Sequence, residues 1–214
     1  MNNKYKAALF DLDGVVFDTE PQYSIFWGKE CRHYHPEQPG LEYTIKGQTL
    51  TEIFENFFSE ERDEWEEITK RLNEFEANMD YCYVSSFERF INEVKQNGLK
   101  TAVVTSSNKP KMESVFAKRP ELKEMFDVIL TSEYFEHSKP HPDCYLKGAE
   151  VFGAKPEECI VFEDSFNGLK SGRASGAKVV GLSTSNPAEK ISHLCDTVIP
   201  NYENISFVSL TEKL

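Results

Sequence analysis

Six short apolar runs, each ending in polar residues, constrain this chain's fold more than any other feature. They occupy residues 6–10, 101–104, 128–130, 159–162, 178–182 and 197–199, and the first four stop at Asp11, Thr105, Thr131 and Glu163-Asp164. Runs of that length, rich in Val and Ile, read as strands buried on both faces of a parallel sheet. Helical patterns lie between them. Phe87, Phe90, Ile91 and Val94 recur at helical spacing before Gly98; Cys144, Tyr145, Ala149, Val151 and Phe152 precede Gly153; residues 169–174 precede Gly176. Each glycine is placed to end its helix. Strand alternating with helix predicts an α/β fold with a doubly wound, Rossmann-like parallel sheet. Its right-handed crossovers gather the strand C-termini on one ligand-binding edge.

Residues 21–85 break that rhythm. They hold no strand-like run, and Ile53, Phe54, Phe57 and Phe58, then Trp65, Ile68, Leu72 and Phe75, step by three and four residues. The predicted organisation is a core of residues 1–16 and 86–214, with an all-helical cap domain of residues 17–85 inserted after the first strand. Helices packed directly on the sheet are the alternative. The phenylalanines read as the insert's core, and the acidic run 60–67 as a solvated helix face.

Charge narrows the partners. The 214 residues carry 24 Lys and Arg against 36 Asp and Glu, a net charge of −12, which argues against a nucleic-acid binder. No apolar run approaches the roughly 20 residues that span a membrane, and residues 1–6 lack the apolar stretch of a secretory signal. The five cysteines, Cys31, Cys82, Cys144, Cys159 and Cys195, are odd in number and show no CxxC pair, so reduced thiols in a cytoplasmic protein are expected.

The strand ends carry the chemistry. Asp11 and Asp13 stand at i and i+2 just past the first strand, followed by Gly14. Converging carboxylates call for a cation, and hard Mg²⁺ suits oxygen ligands, although an acidic pair alone also fits a solvated loop. The second strand ends in Thr105-Ser106-Ser107-Asn108 before a helix with Pro110 in its first turn. Such a helix start holds anions, or is merely capped by Ser107 or Asn108. The loop 138–143 presents Lys139, by itself indistinguishable from a surface lysine, and the fourth strand ends in Glu163-Asp164. Together these ends supply acid, hydroxyl, lysine and acid around one crevice, the inventory for phosphoryl transfer.

The motifs DxDGVxxDTE (11–20), VVTSSN (103–108), SKPHPD (138–143) and FEDSxNG (162–168), in this order, resemble those of the haloacid dehalogenase superfamily. They are most similar to its branch of β-phosphoglucomutase-like phosphatases with a helical cap. The resemblance implies that Asp11 is the nucleophile that forms an aspartyl-phosphate, and Asp13 the general acid/base. It implies that Thr105 and Ser106 hold the phosphate, that Lys139 offsets charge, and that Mg²⁺ is bound by Asp11, Asp164 and the Asp13 carbonyl, with Glu163 supporting the site. The dehalogenases of the superfamily lack the second Asp, so Asp13 points to phosphoryl chemistry.

Lys46, Gly47 and Gln48 resemble the cap loop that reaches the substrate, and Asn108 joins them as a substrate-side residue. The β-phosphoglucomutases follow that loop with an Arg that binds the far phosphate of a bisphosphate; this chain has Leu50, which cannot do so. Tyr23 stands where the branch often has a His. Lys46, Lys70 or Arg71 would have to compensate for the missing Arg. The expected function is thus a Mg²⁺-dependent phosphatase, a monomer acting on a small phosphorylated metabolite such as a sugar phosphate. A phosphosugar mutase is the alternative, and a phosphoacceptor module the non-enzymatic one. His33 and His35 read as solvated or capping residues, and His137 and His141 as flanking the crevice entrance beside Lys139.

Overall fold

A computed structural model describes residues 4–46 and 48–214 of the protein. The six apolar runs form six strands, β1 Ala7–Phe10, β2 Lys100–Val104, β3 Val128–Leu130, β4 Cys159–Glu163, β5 Lys178–Leu182 and β6 Thr197–Ile199. They make one all-parallel sheet in the order β3-β2-β1-β4-β5-β6. The order reverses at β1, so β1, β2 and β4 meet at the centre, where a doubly wound sheet opens its ligand crevice.

Helices cover both faces. After β1 come α1 Glu20–Tyr34, α2 Leu41–Thr44, α3 Leu50–Phe57 and α4 Trp65–Asn78. Then follow α5 Phe87–Gln96, α6 Lys109–Lys118, α7 Leu122–Met125, α8 Asp143–Glu150, α9 Phe166–Ser175, α10 Ala188–Ile191 and α11 Phe207–Thr211. The two-residue alternation of a strand explains how continuous apolar runs serve two layers. Ala8, Phe10, Val103, Ile160 and Phe162 pack with Phe87, Phe90 and Ile91 of α5, Met112 of α6 and Phe207 of α11. Ala7, Leu9, Ala102, Val104 and Val161 pack on the other face with Cys144, Tyr145 and Ala149 of α8 and Leu169 of α9. Phe10 and Phe162 lie stacked across β1 and β4 at 4.4 Å between ring centroids.

The helices α1–α4 gather a third core of their own, with Phe26, Trp27, Ile53, Phe54, Phe58 and Leu72 at its centre. Phe54 stacks on Trp65 at 5.1 Å. The segment leaves and rejoins the sheet through adjacent connecting segments: the Asp18 N–H donates to the Cys82 carbonyl at 2.8 Å and the Val84 N–H to the Val16 carbonyl at 2.9 Å. Phe17 and Tyr83 thereby form a single antiparallel bridge, a pairing that the sequence pattern did not show because each run is too short. Of the two histidines in this segment, His35 takes the capping role at the end of α1 and packs its ring on Phe58 at 4.9 Å, whereas His33 is exposed.

All five cysteines are free thiols, and four are buried. No helix among the described residues is long and apolar enough to cross a membrane. Because Phe162 is fully buried and anchors the stack at the sheet's centre, Phe162→Ala is expected to lower stability by about 3–5 kcal/mol, read as a reduced midpoint in urea unfolding.

Candidate active site

Asp11 follows β1, Thr105 follows β2, Glu163 ends β4 and Asp164 follows it, so the parallel register brings all four to one edge. Lys139 reaches the same place from the loop between β3 and α8. Its ammonium donates to Asp11 Oδ1 at 2.5 Å, to Glu163 Oε1 at 2.7 Å and to the Val104 carbonyl at 3.2 Å. The lysine is only 3% exposed. Burial opposes its charge, but Asp11 and Glu163 outweigh that and raise its pKa well above the usual lysine range. Burial pushes Asp11 up to about 7 against the pull of Lys139, with Glu163 and Asp13 adding to the rise.

Glu163 is fully occupied. Its Oε1 also accepts the Tyr145 hydroxyl at 2.9 Å. Its Oε2 accepts the N–H groups of Asp164 and Ser165 at 2.9 and 3.1 Å and the Ser165 hydroxyl at 3.1 Å. The carboxylate lies beneath the first turn of α9, where Gly168 makes room for it: a Cβ there would fall 1.7 Å from Glu163 Oε1.

Oxygens of Asp11, Glu163 and Asp164 lie within 4.8 Å of one another. Burial lifts Asp164 well above the carboxylate range, and the charges of Glu163, Glu20 and Asp11 add to the effect. Since Glu163 is spent on hydrogen bonds, Asp11 and Asp164 are left to face a cation. An all-oxygen, charge-crowded pair fits Mg²⁺, which would relieve the like-charge repulsion. Asp164 is steadied by the loop after β5: Ser185 donates to its Oδ2, and Asn186 Nδ2 to its carbonyl at 3.1 Å. Gly14, at φ +71°, passes so close that a Cβ would lie 2.1 Å from Asp164 Oδ2. Its carbonyl accepts Thr184 Oγ1 at 2.6 Å.

The Asp13 side chain stands outside the metal-facing group. Its Oδ1 accepts Thr19 Oγ1 at 2.6 Å. Its Oδ2 accepts the Ser107 hydroxyl at 3.3 Å and is ion-paired with Lys111. Its carboxylate is thus committed to hydrogen bonds and an ion pair. Lys111, buried in the first turn of α6, also lies over the Tyr23 ring at 4.7 Å, and the Tyr23 hydroxyl donates to Glu76 of α4 at 2.7 Å.

These residues, with Thr105, Ser106 and Asn108, line a cavity of about 140 Å³ between the sheet edge and the inserted helices. The Thr105 hydroxyl accepts the Ser107 N–H at 3.0 Å. Asn108 lines the cavity and also caps α6, accepting the Lys111 N–H at 3.1 Å. From the insert, Lys46 pairs with Glu20 at 2.9 Å; the contact is electrostatic, since that Glu20 oxygen receives no aligned hydrogen bond. Gln48 lines the cavity but uses its amide locally, donating to the Thr44 carbonyl at 3.1 Å. Gly47 lies outside the described residues.

Two of the residues expected to compensate for the missing Arg lie away from the cavity. Arg71 does not reach the cavity, because Glu30 binds it through two hydrogen bonds of 3.1 and 2.8 Å within the insert. Lys70 is exposed beside Glu67. His137 and His141, with rings 4.5 Å apart, line an open groove together with Glu52 of α3. Conversely, Lys111, Thr19 and the Thr184-Ser185-Asn186 turn are engaged at the site without having been singled out in the sequence. The turn carried a usable signal, a polar run directly after a strand; Lys111 looked like any helix-surface lysine.

Alanine ordinarily stabilises a helix relative to glycine by about 1 kcal/mol. Gly168→Ala is expected to reverse that sign and destabilise by about 2 kcal/mol or more, measured by thermal unfolding, because Glu163 cannot retreat.

Residues 8–182 match the model of the haloacid dehalogenase-like hydrolases. The pyrophosphatase PpaX of Bacillus cereus (strain AH820) is 28% identical over 185 residues, 84% of either chain. In structure, the chain is similar to a haloacid dehalogenase hydrolase of family IA, variant 3, from Entamoeba histolytica, with a TM-score of 0.82 at 21% identity, over 97% of this chain and 98% of that one. It is also similar to a mutant of CbbY from Rhodobacter sphaeroides in complex with xylulose-(1,5)bisphosphate, with a TM-score of 0.76 at 20% identity, over 96% and 99%. With its motifs gathered at one sheet edge and its family model matched over most of its length, the chain belongs to the haloacid dehalogenase-like hydrolases and is a phosphohydrolase.

Proposed function

We propose that the protein is a Mg²⁺-dependent phosphatase that hydrolyses a small phosphomonoester, such as a sugar phosphate, through an aspartyl-phosphate on Asp11. The observation that carries this reading is Lys139, buried between Asp11 and Glu163 beside the Asp164 carboxylate. In the first step an Asp11 oxygen bonds to phosphorus, the bond to the leaving oxygen breaks, and Asp13 gives that oxygen a proton. In the second, Asp13 takes a proton from water, which attacks the phosphoryl group and frees Asp11 and inorganic phosphate. Thr19, Ser107 and Lys111 hold the Asp13 carboxylate and fix the direction of its proton exchange. Thr105, Ser106 and Lys139 serve the non-bridging oxygens. Asp11, Asp164 and the Asp13 carbonyl would hold Mg²⁺, which supplies charge neutralisation at the phosphate.

In this reading residues 17–85 act as a cap whose inner side, with Lys46, Gln48 and Leu50, meets the substrate. The mutase alternative is disfavoured by Leu50 at the cavity wall and by Arg71's engagement with Glu30. The name of the Bacillus relatives places pyrophosphate on the substrate panel. Free thiols suit a cytoplasmic setting.

Asp11→Asn is expected to lower Mg²⁺-dependent phosphate release from p-nitrophenyl phosphate and sugar phosphates at least about 1,000-fold; unaltered turnover would refute the nucleophile. Chelation by EDTA is expected to abolish release and excess Mg²⁺ to restore it. Phosphorus NMR with β-glucose 1-phosphate and a trace of glucose 1,6-bisphosphate should show inorganic phosphate; glucose 6-phosphate without it would establish a mutase.

A further inference from the structure

We propose that the far end of the cavity selects a substrate with one phosphate and an uncharged, hydroxyl-bearing body, and rejects substrates with a second phosphate, because its lysines are already matched by carboxylates. This rests on the phosphatase reading of the same site. Among the described residues, seven carboxylates and three lysines line the cavity, a formal excess of four negative charges. Lys139 belongs to the phosphate end, between Asp11 and Glu163. The other two lysines of the lining, Lys46 and Lys111, are not free either. Lys46 is paired with Glu20, both side chains less than 15% exposed. Lys111 is ion-paired with Asp13 and lies over Tyr23, whose hydroxyl is bound to Glu76. Glu42 adds a further carboxylate to the lining.

A terminal phosphate needs charge-assisted donors, best from arginine, and the insert's Arg71 is held by Glu30 away from the cavity. A second phosphate would therefore meet Glu20, Glu42 and Glu76 without a cation to receive it, a like-charge encounter that discriminates strongly. The rest of the far wall suits a neutral ring or polyol. Trp27, Leu50, Ile53 and Leu72 offer an apolar side, and Ser24 and Asn73 offer hydroxyl and amide partners.

The test compares kcat/KM of the full-length protein with Mg²⁺ on matched pairs, fructose 6-phosphate against fructose 1,6-bisphosphate and glucose 1-phosphate against glucose 1,6-bisphosphate. Inorganic pyrophosphate is included, and p-nitrophenyl phosphate serves as a generic ester. The expected result is a preference for the monophosphate of at least about 100-fold, with pyrophosphate equally poor. Glu20→Gln, which frees Lys46, is expected to narrow that ratio about tenfold. Glu42→Gln, at the less buried rim, should narrow it in the same direction and decides the matter if Glu20→Gln does not fold. Bisphosphate or pyrophosphate turned over as well as the monophosphate, or a ratio unmoved in the folded variants, overturns the charge-exclusion proposal while leaving the phosphatase intact. No turnover of p-nitrophenyl phosphate or any sugar phosphate overturns both.

Discussion

Lys139 is a buried cation that three elements must deliver at once. Its ammonium is held by carboxylates that follow β1 and end β4, and by the last carbonyl of β2. A lysine removed from water is tolerated only when its charge is met at close range, so the register of the three central strands and the position of the loop before α8 are tied to one another. Glu163 transmits the constraint outward. Its remaining hydrogen bonds fix Ser165, and Ser165 in turn accepts the Gly168 N–H at 3.0 Å to cap α9. The interaction that arranges the reacting groups thus also fixes the start of a helix and the course of a loop.

Much of this was legible in the sequence, for identifiable reasons. The strands were readable because a sheet buried on both faces demands uninterrupted apolar runs, and Ala7 to Phe10 supply both layers by simple alternation. Asp11, Asp13, Thr105 and Asp164 were readable because a parallel sheet sends strand ends to one edge, whereas Lys139, on a loop, was readable only through the resemblance of residues 138–143 to a family motif. What stayed hidden depends on side-chain reach across the fold. Lys111 pairs with Asp13 across 98 residues of chain, and helical spacing alone gives no sign of that. Arg71 was a reasonable candidate for the cavity until Glu30, 41 residues away, was seen to hold it. The bridge of Phe17 with Tyr83 is one residue on each side, below the length at which a periodic pattern exists.

The two ends of the cavity differ in physical character. At the sheet edge the groups are rigid, buried and hydrogen-bonded by backbone as well as side chains. Toward the insert the wall mixes carboxylates and amides with apolar side chains, and Lys46 and Glu20 meet through a single ion pair. The insert side of the cavity is supported by a separate hydrophobic core.

The adjacent connecting segments that join that separate core to the sheet have a thermodynamic meaning of their own. Val16 and Val84 are hydrogen-bonded neighbours, so the sheet meets the inserted helices as a closed loop whose ends are already pinned together. The entropy of such a loop grows only logarithmically with its length. A change in the number of residues between Val16 and Val84 therefore adds little loop-closure entropy of its own, and its effect on the sheet is set by the contacts that α4 makes with α6.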